Sequence, residues 1–314
     1  MEFQATGAFW QKFPGVQFTV AIDPGNEPPF GSDIACFDRI RRTGGVHFPR
    51  LPSPAPHMAS NNAQAQIELH RALAPRYAFR YSFPFSRLFQ QDWHAEMMGH
   101  IPEGSKAILD LGCGTGFFLA ELMEKHPSAV GLDISFEMLQ VSDQYIPGAK
   151  LVTGDAERLP FKPGVFDVVF CKGSLHHTRD HVAFLKHCRE ALRPGGVLIM
   201  SEPCNDNPFI RVARAIMYRK SQHFDVGDQG FTRKGVLELL EQADFETPKV
   251  KKYGVLAYVF AGFPDHLSIL RYIPGNYWIT RAFLAIDRVL CALPVFSLLG
   301  FHIVTVSHPK PERK

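Results

Sequence analysis

The chain has 314 residues, of which 46% are hydrophobic and 21% are charged, and this composition excludes a wholly disordered, fibrous or coiled-coil protein. The 34 lysines and arginines against 31 aspartates and glutamates leave a formal charge of +3, too weak a field to indicate nucleic-acid binding. Six dispersed cysteines form no CxxC pair, so we expect free thiols in a reducing compartment, the cytoplasm. The 27 phenylalanines predict an apolar pocket or an unusually aromatic core.

The first 57 residues differ from the rest of the chain because they are rich in proline and glycine and show no lasting periodicity. We predict an irregular leader over 1–57 and one domain over 58–314. The alternative is that Met58 is the true start of the protein. A basic segment followed by an apolar one is not seen at the N-terminus, so we expect no secretory signal.

Helical spacing of apolar residues predicts helices between 62 and 100, the second of them from Ser86 to His100. From Lys106 onward, strands and helices alternate. The predicted strands are 107–110, 129–133, 150–155, 166–171 and 197–200, and the predicted helices are 117–125, the segment after an N-cap at Ser135, and 182–192. Continuous apolar strands joined by helices predict an α/β fold with a doubly wound, mostly parallel sheet.

The C-terminal third continues with a helix that Thr232 caps and that runs to Gln242, then a strand-like segment over 250–260. The uncharged run 289–306 contains a proline and a glycine, so it predicts a helix, a turn and a terminal strand rather than a membrane-spanning helix. Apolar helical insertions are expected at 204–230 and 262–299. They either form a lid over an apolar pocket, resting on a membrane face, or pack on one another and on the N-terminal helices.

The strongest chemical motif lies at the junction of the first strand and its helix, where Asp110 precedes Gly112, Gly114 and Gly116. Glycines let the backbone turn tightly and approach a ligand, and the following helix N-terminus offers free N–H groups. This GxGxG spacing differs from the GxGxxG of dinucleotide sites, although a glycine-rich turn alone is a weak signal.

Further motifs follow in a fixed order. Asp133 ends the second strand, where a carboxylate can bind both hydroxyls of a ribose, and Asp155 ends the third; loop capping is the alternative role for both. Segment 192–196, Leu-Arg-Pro-Gly-Gly, leads into the fifth strand. Over about 101–245 this set resembles the class I S-adenosylmethionine-dependent methyltransferases, in particular the small-molecule group typified by ubiquinone- and menaquinone-biosynthesis enzymes.

The resemblance implies a Rossmann-like methyltransferase fold with a seven-stranded sheet and S-adenosyl-L-methionine as the cofactor. It also implies cofactor-binding roles for residues at the strand ends: Asp110, Gly112, Cys113, Gly114 and Gly116 at the methionine moiety, Asp133 at the ribose, Ile134, Met138, Asp155 and Ala156 at the adenine, and Lys172 and Gly173 beside the sulfonium.

A general base is needed only if the acceptor begins as a neutral O–H or an activated C–H. His176 and His177 follow the fourth strand and are the candidates; capping of the next helix or packing on the cofactor is their alternative role. Three weaker candidates, interpreted as surface or loop residues, are Glu202, Asp206 and His223.

The sequence therefore predicts in-line methyl transfer, without a metal, to a small hydrophobic or amphiphilic acceptor. A nucleic-acid substrate is disfavoured, because the fourth strand ends in Cys171-Lys-Gly-Ser174 and not in the Asn/Asp-Pro-Pro-aromatic motif of base-methylating enzymes. Two other functions stay open: a non-catalytic cofactor-binding module and a nicotinamide-dependent oxidoreductase. The GxGxG spacing disfavours the oxidoreductase.

Overall fold

The computed structural model describes residues 83–207, 210–212, 230–262 and 268–311. Within these residues, seven strands form one sheet in the order β3-β2-β1-β4-β5-β7-β6. The strands are β1 Ile108–Leu111, β2 Val130–Asp133, β3 Lys150–Thr153, β4 Phe166–Lys172, β5 Leu192–Pro203, β6 Lys249–Tyr253 and β7 His302–Ser307. The first five pair in parallel, and β7 runs antiparallel to both β5 and β6. The predicted doubly wound, mostly parallel sheet is confirmed.

Helices connect the strands and cover the sheet. They are α1 Pro84–Met98, α2 Phe117–Lys125, α3 Phe136–Tyr145, α4 His181–Ala191, α5 Arg233–Gln242 and α6 Asn276–Ala292. The predicted caps at Ser135 and Thr232 are confirmed, because each side-chain oxygen accepts the backbone N–H three residues further on. Asp180 caps α4 in the same way.

Two apolar layers enclose the sheet. On one face, Leu109 and Leu111 of β1 pack in a cluster with Phe184 of α4 and Leu240 of α5. On the other face, Ile108 packs in a cluster with side chains of α1, α2 and α6. Several of the many phenylalanines are fully or almost fully buried in these layers: Phe85, Phe89, Phe118, Phe166, Phe170, Phe184 and Phe245. Of the two explanations that composition left open, the structure supports an aromatic core.

Four predicted boundaries shift by two residues or more. Strand β3, expected over 150–155, ends at Thr153, so Asp155 follows the strand and does not end it. The helix expected over Ser86–His100 is α1, two residues earlier at each end. Strand β5 begins at Leu192 rather than at 197, and so includes the Arg-Pro-Gly-Gly segment expected only to stop the helix. The strand expected over 250–260 ends at Tyr253. Gly254 follows with a φ of +70°, and the chain then forms a π-helical turn, Tyr258–Gly262.

The C-terminal prediction of a helix, a turn and a strand is confirmed by α6, the 3₁₀ turn Phe296–Leu299 and β7. Across the ranges that the structure describes, no helix combines the length and the apolar character needed to cross a bilayer. The leader over 1–57, the helix expected near 62–73 and most of the insertion at 204–230 lie outside the described residues.

Candidate functional site

The glycine-rich turn between β1 and α2 is built from three residues with positive φ: +76° at Gly112, +54° at Gly114 and +82° at Gly116. Gly112 donates its N–H to the Leu132 carbonyl at 2.7 Å, which fixes the turn against the end of β2. A Cβ at Gly112 would lie 2.0 Å from Ser174 Oγ, so glycine is required there for both conformation and space.

Gly114 has a different environment from its two neighbours. No described atom lies within 4 Å of the place where its Cβ would stand, so the backbone at this position has open space beside it. Its N–H donates to Asp133 Oδ2 at 2.8 Å. An open glycine between two tightly packed ones gives a ligand access to the backbone at the middle of the turn.

Asp133, at the end of β2, joins the turn to the next helix. Its Oδ2 accepts from Gly114, and its Oδ1 accepts the Ser135 N–H at 2.8 Å, while the residue is only 6% exposed. The carboxylate therefore does cap the two loops, which was the alternative role. Each of its oxygens keeps another lone pair, so loop capping and binding of a diol are compatible.

Asp110 lies on β1, 1% exposed, and its Oδ2 has no hydrogen-bond partner among the described residues. Burial raises the pKa of Asp110 to about 7; Lys172 opposes this rise and Asp133 adds to it. A buried carboxyl oxygen without a partner is unfavourable unless a ligand or water satisfies it. Asp110 can therefore receive a cationic donor.

Lys172 ends β4 on the same face of the sheet. Its Nζ lies 2.8 Å from His94 Nε2 and 5.0 Å from the centre of the Trp93 ring. His94 Nδ1 is in turn 3.0 Å from Glu121 Oε2. Burial, and then the Lys172 charge, lower the pKa of His94 to about 4, so His94 is neutral near pH 7 and can accept from the ammonium.

The remaining cofactor candidates lie at neighbouring strand ends. Asp155 and Ala156 follow β3 and are half-buried, with Asp155 Oδ1 accepting the Glu157 N–H at 2.8 Å. Gly173 follows β4 with a φ of +68° and donates its N–H to the Ser201 carbonyl at 2.8 Å. The other three are Cys113 and Met138, which are buried, and Ile134, which is half-buried.

His176 has a partner that the sequence did not reveal. Its Nδ1 lies 2.7 Å from Oε2 of Glu202, which stands on β5 and is 1% exposed. Glu202 Oε1 also accepts the N–H groups of Ser174 and Leu175 at 3.1 and 2.9 Å. The expectation that Glu202 is a surface or loop residue is wrong: it lies in the part of β5 that is buried on both faces of the sheet, and its carboxylate lies beneath the loop after β4.

This contact defines the chemistry open to His176. Because the carboxylate is an acceptor, Nδ1 carries the proton in the neutral ring, and Nε2 is left as the proton-accepting nitrogen. The ring centre of His177 lies 4.0 Å from that of His176. Asp206 is paired with Lys252 beyond β5, and His223 lies outside the described residues.

The sheet brings these candidates to one edge. In the register, Leu111 stands opposite Leu132, and Asp133 opposite Thr153, so β1, β2 and β3 end side by side. Winding reverses between β1 and β4, and this is where open α/β sheets bind ligands, outside the carboxyl ends of the strands. The unpartnered Asp110 oxygen and the open glycine turn fit a ligand with a cationic group and an extended polar part.

Comparison with known proteins indicates the family of this chain. A family model described as a methyltransferase domain matches residues 109–200. A demethylmenaquinone methyltransferase from Staphylococcus haemolyticus is 32% identical over 170 residues, which cover 51% of this chain and 70% of the relative. A trans-aconitate 2-methyltransferase from Deinococcus radiodurans is 34% identical over 144 residues, which cover 45% of this chain and 54% of the relative.

Solved structures agree on the fold. A structure of an S-adenosylmethionine-dependent methyltransferase from Thermotoga maritima superimposes with a TM-score of 0.54 at 18% identity, covering 78% of this chain and 99% of the other. The chain therefore belongs to the class I S-adenosylmethionine-dependent methyltransferases. It spans only about half the length of the trans-aconitate enzyme and 61% of a demethylmenaquinone methyltransferase from Deinococcus radiodurans.

Proposed function

We propose that this protein transfers a methyl group from S-adenosyl-L-methionine to a small, hydrophobic or amphiphilic acceptor. The observation that carries the proposal is the meeting of Asp110, the glycine turn and Asp133 at one edge of the sheet. The cofactor would supply an electrophilic methyl group. When the bond between carbon and sulfur breaks, the sulfur would keep the bonding electron pair. The protein's contribution is to hold the two reactants in line and to exclude water.

The proposed cofactor contacts follow from the side chains at the edge. Asp110 would attract the ammonium of the methionine moiety, because an unpartnered buried carboxyl gains most from a cationic partner. Asp133 would accept from the ribose hydroxyls with its remaining lone pairs. The other proposed contacts are Gly112, Cys113, Gly114 and Gly116 along the methionine, Ile134, Met138, Asp155 and Ala156 around the adenine, and Lys172 and Gly173 beside the sulfonium.

For an acceptor that must lose a proton, we propose His176 as the general base. Support comes from the 2.7 Å contact with Glu202, which orients the ring and leaves Nε2 free to accept the proton of the acceptor. Glu202 is a positioning residue in this proposal. His177 is the other candidate, and its ring centre lies 4.0 Å from that of His176 with the two rings tilted by 38°.

The relatives support a small-molecule acceptor, because by name they act on trans-aconitate and on demethylmenaquinone. We propose that the acceptor of this chain is of the same general kind, that no nucleic acid is involved, and that the protein acts in the cytoplasm with a peripheral contact to a membrane. An amphiphilic acceptor is consistent with the apolar side chains exposed near the C-terminus.

Calorimetry with S-adenosylhomocysteine tests the cofactor assignment, and turnover over a panel of quinols, phenols and small acids tests the acceptor. With an accepted substrate, we expect His176→Gln to lower kcat by about a hundredfold while His177→Gln lowers it by about threefold or less, and neither to change cofactor affinity. Well-folded protein without affinity for S-adenosylhomocysteine would refute the proposal. Binding without turnover over the whole panel would favour a non-catalytic module.

A further inference from the structure

Helix α6 is apolar on the side that faces away from the protein. Its inward side buries Thr280, Leu284 and Asp287. On the opposite side, Trp278 is 65% exposed and Val289 is 60% exposed. A helix on the surface of a monomeric protein ordinarily turns charged and polar residues to water there. The outward side of α6 is therefore a candidate binding surface.

The apolar surface continues on both sides of the helix. Ten of the fourteen large hydrophobic side chains that are exposed among the described residues lie between 272 and 299. We name them the α6 surface: Tyr272, Tyr277, Trp278, Ile286, Val289, Leu293, Val295, Phe296, Leu298 and Leu299. Such a concentration marks an interaction site rather than the scattered exposure of a normal surface.

The exposed charged side chains of segment 268–300 are all arginines, one of which, Arg288, is paired with Asp92 of α1. Segment 268–300 contains three arginines and a single acid, Asp287, which is buried and accepts backbone N–H groups. Arg271 lies 4.7 Å over the ring of Tyr272, and Arg281 lies 5.6 Å over that of Trp278. The guanidinium groups are thus held at the level of the exposed aromatic rings.

We infer that the α6 surface docks on a lipid bilayer that contains anionic headgroups. Tyrosine and tryptophan combine an apolar ring with a polar group, which suits the boundary between headgroups and acyl chains, and arginines at the same level complement negative headgroups. A second copy of the chain is the rival occupant. A two-fold contact would bring together two copies of a surface whose exposed charged side chains are arginines, and like charges would oppose it.

The α6 surface is joined through Asp287 to the chain that follows β6, the edge strand of the sheet. The Asp287 carboxylate accepts the N–H groups of Val255, Leu256 and Ala257 at 2.8, 2.8 and 3.1 Å, and these residues directly follow β6 in the central sheet. The inference rests on the proposed function in one respect, because a bilayer is where an amphiphilic acceptor would be found. Lipid binding itself needs neither cofactor nor turnover.

Co-sedimentation of the full chain with vesicles tests the inference. We expect binding to vesicles of phosphatidylcholine with phosphatidylglycerol, and at least tenfold weaker binding to phosphatidylcholine alone. The double variant Trp278→Ser/Phe296→Ser should lose at least about tenfold in affinity, because it removes two exposed apolar side chains that would be buried in the bilayer. Arg281→Glu should lose about fivefold, only on the anionic vesicles. The control is Val165→Ser, which alters an exposed valine before β4 and should bind like the wild type.

Separate measurements distinguish a failure of the lipid-docking inference from a failure of the proposed function. Every variant is also titrated with S-adenosylhomocysteine, and unchanged affinity shows that the fold and the cofactor site are intact. Wild-type protein that does not bind anionic vesicles, or a double variant that binds them as the wild type does, overturns the inference. So does a dimer in analytical ultracentrifugation that the double variant abolishes, because the second copy is then the occupant. Absence of S-adenosylhomocysteine binding by the wild-type protein would instead contradict the proposed function.

Discussion

The region around the glycine turn and the region around α6 are held together in different ways. In the first, the key contacts join residues close in sequence: Gly114 with Asp133, and Asp133 with Ser135 two residues later. In the second, Arg288 of α6 donates to Asp92 of α1, which is 196 residues away. A site made from local contacts can be predicted from the sequence, whereas a site made from distant contacts depends on the assembled fold. Substitutions can test this difference.

The largest effect is expected in the α6 region. Asp287→Ala leaves three backbone N–H groups at 255–257 without their acceptor, and we expect a loss of about 3–4 kcal/mol in the free energy of unfolding. Denaturant unfolding measures it. The control is Arg288→Ala, which breaks an ion pair with Asp92 whose arginine is 69% exposed, and should cost less than about 1 kcal/mol. Equal losses for the two variants would contradict the capping role of Asp287.

In the glycine turn, Gly112→Ala is expected to lower the free energy of unfolding by about 2–3 kcal/mol, because positive φ adds to a clash with Ser174. Gly104→Ala is the matched control: φ is +79° there, but nothing lies near the new Cβ, and about 1 kcal/mol is expected. Adding Ser174→Gly should restore part of the loss at 112. A Gly112→Ala variant no less stable than Gly104→Ala would show that the close approach is unimportant.

Cofactor affinity probes the same region at a smaller scale. Asp133→Ala should weaken S-adenosylhomocysteine binding by about 1–3 kcal/mol in calorimetry, because a buried pair of hydrogen bonds to the ribose is lost. Asp167→Ala is the control, since its carboxylate accepts the N–H groups of Lys106 and Ala107 at the opposite edge of the sheet. We expect that variant to lose stability and keep its affinity. Unchanged affinity in Asp133→Ala would remove this residue from the proposed site.

The smallest effect is a pH dependence set by Asp110. Burial raises its pKa from 3.8 to about 7, so the free protein favours the neutral carboxyl and loses stability as the pH rises through that range. A cationic ligand prefers the ionised form, so its affinity should increase by up to about tenfold between about pH 6 and pH 8. Asp110→Asn should show a flat profile in the same calorimetry. Parallel profiles for the two proteins would contradict the ion pair.

Several parts of the fold could be predicted because their signals are local. Apolar runs gave the five parallel strands, and Ser135 and Thr232 marked helix starts through a hydrogen bond to a backbone three residues away. Gly254 was overlooked inside an apolar segment, so the strand was extended to 260. Its positive φ ends the strand at Tyr253. The N–H groups of residues 255–257 then donate to Asp287, which favours a turn there over continued strand pairing.

For the candidate site, the sequence predicted the glycine turn and the acids at the strand ends. It did not predict the residue that positions His176. Glu202 was only a weaker candidate, interpreted as a surface or loop residue, because a single glutamate near the end of an apolar strand has no local partner to mark its role. Its contacts with His176 and with the N–H groups of Ser174 and Leu175 arise only when β5 pairs beside β4. The one signal that could have indicated its burial was its position at the end of a continuous apolar strand, because such strands are covered on both faces.

The sequence by itself determined the kind of sheet, the glycine turn and the strand-end acids, because periodicity and turn chemistry act over a few residues. Only the tertiary structure decided that Glu202 is buried beside His176, that Asp110 keeps an oxygen without a partner, and that α6 leaves an apolar side exposed. The physical reason is that burial and charge pairing depend on which distant elements come into contact, and local sequence patterns do not specify those contacts.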